Sequence, residues 1–251
     1  MWAKGVAVNS GLDVALSEPD VSPLQLQGPK SGDIAKAVFG NRIENLKYYW
    51  LEEFELNGIP LIISRTGWSS ELGYEIYLRD GSRGNELWDH IMEIGKPMGL
   101  VPGHTSTIRR IEGGMLSYQA DMDYTINPFE LGLGRLVDLE MDANFIGKNA
   151  LKKIKSEGVN RCQVGIEIDC PPIQHPNTSY WPIFIGKQEV GYVTSAVYSP
   201  RLNKNIALAI IDVNHSAVDT TASVETLDGR LPVKIVQKPF YDPKKKLAST
   251  T

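Results

Sequence analysis

The chain has 251 residues, 42% of them hydrophobic and 22% charged, with a formal net charge of −4. That composition is globular, and the length allows one large domain or two smaller ones with apolar residues enough for a core. Nothing in this mild acidity suggests broad nucleic-acid affinity, and the one basic run, Lys244 to Lys246, lies in a polar tail and reads as a solvated terminus.

Two cysteines, Cys162 and Cys170, are too few for a disulfide framework in a chain this long. No histidine follows them at zinc-finger spacing, so they read as ordinary thiols in a reducing compartment. No apolar run approaches the roughly 18 residues of a membrane span. No charged-then-apolar leader opens the chain, and the simplest address is the cytoplasm.

Residues 2–10 read as a short helix ending near Gly11. It is already under way at the start with no capping residue before it, which suggests a fragment or a truncated gene model. Val14 to Ser17 alternate like a strand. Leu24 to Gly32 read as a strand entering a turn, and Asp33 to Phe39 as a helix closed by Gly40. Tyr48 to Leu56 and Ile59 to Arg65 are strand-like, and Asn57-Gly58 between them is a strong hairpin signal. Tyr74 to Leu78 is a further strand. Leu87, Ile91, Ile94 and Met98 recur at helical spacing, and Ile108, Ile111 and Met115 do so on the next helix. Residues 121–145 look irregular apart from Leu131 to Leu139, and Phe145 leads into a helix through Lys155.

Short strands dominate from Val164 onward: Val164 to Ile168, Ile183 to Ile185, Glu189 to Val197, Ile206 to Val213, Ala222 to Thr226 and Val233 to Val236. Their spacing predicts a small antiparallel barrel or sandwich, with a boundary near Ser156-Glu157-Gly158.

Three segments could carry chemistry. In SRTGWSSELGYEIYL, residues 64–78, a strand over Tyr74 to Leu78 puts Glu75 and Tyr77 on one face. With Trp68 on the preceding turn they could wall a pocket, although an edge hairpin with a polar outer face is the commoner outcome of such a pattern. Arg109, Arg110 and Glu112 form a second group, on a helix that buries Ile108 and Ile111 and so puts the arginines toward its flanks. They read as an exposed charged face or, less often, as an anion site. Thr194 to Leu202 reads as a strand leaving into a turn, or as a pocket wall from a second domain. There is no P-loop and no complete dinucleotide fingerprint. The four histidines share no metal spacing, and no Ser/His/Asp arrangement is evident.

Taken in order, these segments resemble the aminomethyltransferase family of the glycine cleavage system. SRTGWSSELGYEI is similar to that family's R-T-G-Y-T-G-E-x-G-[FY]-E hairpin, and IRRIEGGM to its L-R-L-E-A-G-M helix. FIGKNAL, TSAVYSPRLNKNIALA and LPVKIVQKPFYDP follow its later motifs. The ordered set covers nearly the whole chain from about residue 24.

The resemblance implies an α+β fold of the folate-binding aminomethyltransferase type with a C-terminal antiparallel β-barrel domain. Residues 1–20 would end a middle domain, 21–158 would form the central folate-binding domain, and 159–251 the barrel. The family's N-terminal third would be absent, with an acidic residue near the reacting carbon, so activity of the isolated chain is not assured. By position, Glu75 matches the glutamate that holds the pterin, and Arg110 the helix arginine at the folate site. Trp68 stands where the family has tyrosine. With LQLQGPKSG and LKYYWLEEF, that change makes the chain look closer to the branch that demethylates dimethylsulfoniopropionate.

That likeness implies Trp68 and Tyr77 as substrate-binding residues facing a sulfonium cation, which an aromatic face stabilises by roughly 0.5–2 kcal/mol. Tetrahydrofolate is then the methyl acceptor, and no metal and no proton-transferring side chain is assigned. The expected partners are the small substrate and folate, with no nucleic acid and no membrane; a homodimer is compatible. Two alternatives remain: an aminomethyltransferase acting on a lipoyl-bound group, and a non-catalytic folate-binding protein of the same fold. The latter's K-G-C-Y-x-G-Q-E segment is not matched at 64–75.

Overall fold

Alternation along the strands fixes the first half of the fold. The computed structural model describes residues 2–249, so Met1, Thr250 and Thr251, the ends of the outer expected domains, lie outside the described residues. The chain divides into two compact units, one of residues 2–67, 71–103 and 247–249, the other of Trp68–Ser70 and His104–Lys246.

The first unit begins with helix α1 (Trp2–Val8), which buries none of its side chains. A sheet follows, built from β1 (Ser22–Gln27), β2 (Leu51–Leu56), β3 (Ile59–Ser64) and β4 (Gly73–Leu78) in the order β1-β4-β3-β2. All its pairs are antiparallel. Leu26, Leu61, Ile63, Tyr74, Ile76 and Leu78 point to one face and are buried. There they pack with Ile34, Ala35 and Val38 of α2 (Ser31–Phe39) and Leu87 and Ile91 of α3 (Gly84–Gly95). Asn57-Gly58 turns β2 into β3 with φ of 51° and 75°, the left-handed pair that a two-residue hairpin needs.

Val14 to Ser17 form no strand. Val14 and Leu16 stay exposed, so the alternation there has no core to face. Period-two hydrophobicity makes a strand only where a partner edge and a buried face meet it.

The second unit contains α4 (Thr107–Glu112), α5 (Lys148–Glu157) and a closed antiparallel barrel. The barrel strands are β5 (Arg161–Ile168), β6 (Trp181–Ile185), β7 (Gln188–Ser199), β8 (Lys204–Asp212), β9 (Thr221–Thr226) and β10 (Gly229–Val236). Their order is β10-β5-β8-β7-β6-β9, and β9 pairs back onto β10. Of the two architectures that the strand spacing left open, the chain adopts the barrel, which leaves no unpaired edge. Isoleucine, valine and alanine from these strands fill its core.

Gly191 sits where β7 crosses β8. A Cβ there would lie 2.7 Å from Ile211 Cα and closer still to the Ile210 carbonyl oxygen, so the close approach requires glycine. The stretch Leu131 to Leu139 carries only a single 3₁₀ turn, Gly134–Leu136. Cys162 and Cys170 are free thiols. Among the described residues no helix is long and apolar enough to cross a membrane.

One charge is held inside this unit at a cost. Lys238 donates to Gln163 Oε1, and burial lowers its pKa to about 8. The folded chain therefore binds this proton less tightly than the unfolded chain does. The penalty is complete below the folded pKa and fades as pH rises through it toward the unfolded value of 10.5. The stability of the wild type relative to Lys238→Met should thus rise by roughly 1–3 kcal/mol between about pH 8 and pH 10. Urea midpoints measured for both proteins across that window test this. A constant or falling difference would show that the ammonium is not desolvated.

Candidate functional site

On the sheet face opposite α2 and α3, register makes a polar row. Gln25 pairs with Glu75, and Glu75 with Ser64, so these three residues line up across β1, β4 and β3. The next row carries Pro23, Tyr77 and Ile62. The pleat therefore turns Glu75 and Tyr77 away from the core, as the alternation of residues 74–78 predicts.

The Glu75 carboxylate is half-buried and held from three sides. Oε1 accepts from Gln25 Nε2 at 3.0 Å. Oε2 accepts from the Thr66 hydroxyl and, at 3.3 Å, from the Tyr77 hydroxyl. The Thr66 oxygen lies within hydrogen-bond distance of the Ser64 hydroxyl. Because Thr66 donates to the carboxylate, the chain of donors runs from Ser64 through Thr66 to Glu75. Gln27 secures the backbone beneath, donating to the Thr66 carbonyl at 3.2 Å and the Tyr74 carbonyl at 3.4 Å. Burial, and then the adjacent Glu75 charge, raise the Tyr77 pKa above the ordinary phenol value, with the bond to Ser64 opposing them. Tyr77 thus stays a neutral donor at physiological pH. A carboxylate offers about four lone-pair sites, and the donors described here engage three.

In the second unit Arg110 is 5% exposed. The helix pattern put it on a flank, but α4 is only six residues long and packs on the barrel, so the position is buried. Its guanidinium donates to Asp121 Oδ2 at 2.7 Å, the Met115 carbonyl at 3.3 Å and the Ser195 hydroxyl at 2.8 Å. Asp121 is fully buried and accepts also from the Ser117 N–H and the hydroxyls of Thr194 and Ser195. The Trp68 ring lies 5.7 Å from the Arg110 guanidinium carbon. Glu112, 1% exposed, accepts from Ser199 at 2.6 Å and pairs with Arg109 at 3.3 Å.

The residues singled out in the sequence thus fall into two pairs. Glu75 and Tyr77 are hydrogen-bonded on the sheet of the first unit. Trp68 and Arg110 are stacked in the second. Thr194, Ser195 and Ser199, from the stretch read as a strand end or pocket wall, face the charged groups of α4 and its following loop. Sequence reasoning missed Gln25, Thr66 and Asp121. Gln25 was accessible in principle, as a polar residue alternating with Leu24 and Leu26. Asp121 carries no local signal, since it sits in an irregular stretch.

The architecture defines a class: an α+β fold with a closed, C-terminal antiparallel barrel of the aminomethyltransferase type. Residues 2–141 match the GCVT N-terminal domain, and residues 161–242 match the glycine cleavage T-protein C-terminal barrel domain. The chain belongs to the glycine cleavage T-protein family.

Among its relatives, dimethylsulfoniopropionate demethylase DmdA of Ruegeria pomeroyi is 35% identical over 235 residues, covering 92% of this chain and 62% of that protein. An aminomethyltransferase of Bacillus mycoides is 37% identical, covering 88% of this chain and 60% of that protein. The crystal structure of glycine cleavage system aminomethyltransferase T from Bartonella henselae superposes with a TM-score of 0.78 at 22% identity, covering 89% and 60% of the two chains. The chain therefore spans about three fifths of the length of these relatives.

The Arg110–Asp121 pair generates a stability prediction. Asp121→Ala leaves a buried guanidinium without its counter-charge, which costs about 3–5 kcal/mol. Denaturant unfolding should show a loss of that size, and a loss below about 1 kcal/mol, as at an exposed pair, would mean that the pair does not hold the loop.

Proposed function

We propose that the protein is a tetrahydrofolate-dependent methyltransferase that demethylates dimethylsulfoniopropionate. The observation that supports it is the half-buried Glu75 carboxylate, oriented by Gln25, Thr66 and Tyr77 on the sheet face opposite α2 and α3. The arrangement fits a pterin edge. Thr66 can keep its bond, while the longer bonds from Gln25 and Tyr77 yield to paired N–H donors. A carboxylate with those donors in place is correctly aimed before any ligand arrives.

When bound, tetrahydrofolate would supply N5 as the methyl acceptor, the leaving thioether would keep the electron pair of the broken C–S bond, and the N5 proton would pass to water. The protein's share is alignment and exclusion of water, which can be worth several kcal/mol, of the order of 7–11 in well-oriented systems. Glu75 fixes the pterin. Arg110 sets the site through the buried scaffold and does not act as a free anion receptor, because Asp121 already balances its charge. Trp68 and Tyr77 hold the sulfonium. The same balance suits Trp68 to a cation, since the neighbouring guanidinium contributes little net repulsion.

A second reading, a glycine-cleavage aminomethyltransferase, is favoured by the 37% identity to the Bacillus enzyme. The two readings separate by product. Incubation with tetrahydrofolate and dimethylsulfoniopropionate should yield 5-methyltetrahydrofolate and methylthiopropionate in equal amounts. Absence of both, with ammonia released from a lipoyl-bound aminomethyl substrate, would establish the second reading. Independently, Glu75→Ala should weaken tetrahydrofolate binding by about 1.5–3 kcal/mol, roughly 10- to 150-fold in Kd. Calorimetry returning wild-type affinity would remove Glu75 from the site.

A further inference from the structure

The turn that carries Trp68 meets the end of α4 at Ser70. Ser70 is buried and adopts φ 56°, the left-handed region that glycine enters without penalty and serine does not. A strained conformation of this kind persists only where its surroundings over-determine it. The surroundings here are visible. The Ser70 hydroxyl fills the space above Gly113, the residue that caps α4. A Cβ on Gly113 would overlap that hydroxyl and lie 2.9 Å from the Ser70 Cβ. Lys245 closes the contact, donating from Nζ to Ser70 Oγ at 3.3 Å and to the Gly113 carbonyl at 2.9 Å. Burial lowers the pKa of that lysine, as expected of an ammonium enclosed in such a joint.

The joint has consequences on both sides. Two residues before Ser70 is Trp68, and three residues before Gly113 is Arg110, the groups that stack at 5.7 Å. In the motifs that these segments resemble, glycine stands at the position of Ser70 and alanine at that of Gly113.

We propose that Ser70 is a positioning residue: matched to Gly113, it sets where the Trp68 indole stands against Arg110 and so tunes the site for a sulfonium cation. The pairing of Ser70 with Gly113 stands on geometry alone, whereas its link to a sulfonium rests on the function proposed above. The test keeps the two apart. The emission of Trp68, taken as the difference between each protein and its Trp68→Phe counterpart, reports the placement of the indole without any ligand. Calorimetry with dimethylsulfoniopropionate and, separately, with tetrahydrofolate reports the site.

Ser70→Gly and Gly113→Ala should each shift the Trp68 emission and raise the Kd for the sulfonium about tenfold, with the Kd for tetrahydrofolate within about twofold of wild type. The double variant, which returns bulk to the helix side, should recover most of the emission and lose far less than the product of the two single effects. Ser70→Ala keeps the Cβ but removes the hydroxyl, and it should shift the emission in the same direction even where Gly113→Ala does not fold. Unchanged emission in both Ser70 variants, or strictly multiplicative losses in the double variant, overturns the pairing. If the wild type binds tetrahydrofolate but no sulfonium, the proposed substrate falls, and the emission comparison still decides the joint.

Discussion

The second unit is organised around one buried ion pair. Arg110 and Asp121 lie 2.7 Å apart with almost no exposure, so each has given up its hydration. Such a pair is tolerable only when the remaining hydrogen-bonding capacity is also met. Here Met115, Ser117, Thr194 and Ser195 meet it. The requirement explains why β7 carries hydroxyls at consecutive positions beside an otherwise aliphatic core. It also explains how a loop without regular structure is located: residues 117–121 are fixed by the carboxylate that they deliver. Fixing Arg110 in turn fixes the ring that stacks on it.

The first unit solves a different problem. Its sheet has one face buried by helices and another that carries Gln25, Ser64, Glu75 and Tyr77. A carboxylate left on that face to rotate freely would lose entropy on binding any ligand. The donors from Gln25, Thr66 and Tyr77 remove that freedom in advance, at the expense of a few lone pairs. The row is a product of register. A slip of one residue in the β1–β4 pairing would place Leu24 or Leu26 beside Glu75 and turn Gln25 into the core.

These two arrangements were unequally legible in the sequence. The strands, the Asn57-Gly58 turn and the placement of Glu75 and Tyr77 on one face follow from short-range pattern, because a pleat has period two whatever surrounds it. The barrel strands were readable for the same reason, although their closure depends on which edges meet. Arg110 and Glu112 were misplaced because helical periodicity assumes that polar residues face water. On a helix of six residues, wedged against strands that bring their own hydroxyls, that assumption fails. Val14 to Ser17 fail in the opposite sense, with apolar alternation and nothing to pack it. Asp121 could not have been found, since its role exists only once residues 73 and 74 positions further along the chain are folded beside it.

The identities to a demethylase and to an aminomethyltransferase, 35% and 37%, differ too little to decide between the two reactions. Physical reasons make this unsurprising. A fold of this kind constrains chemistry only through the few side chains that line its site. The informative positions are therefore those where this chain departs from the motifs it otherwise follows: an indole for a phenol at 68, a serine in a left-handed turn at 70, and a missing methyl at 113. The last two meet each other in space and both lie within three residues of the stacked pair, Trp68 and Arg110. Departures scattered at random over a surface would not share one contact, and it is this convergence, more than overall likeness, that bears on the substrate.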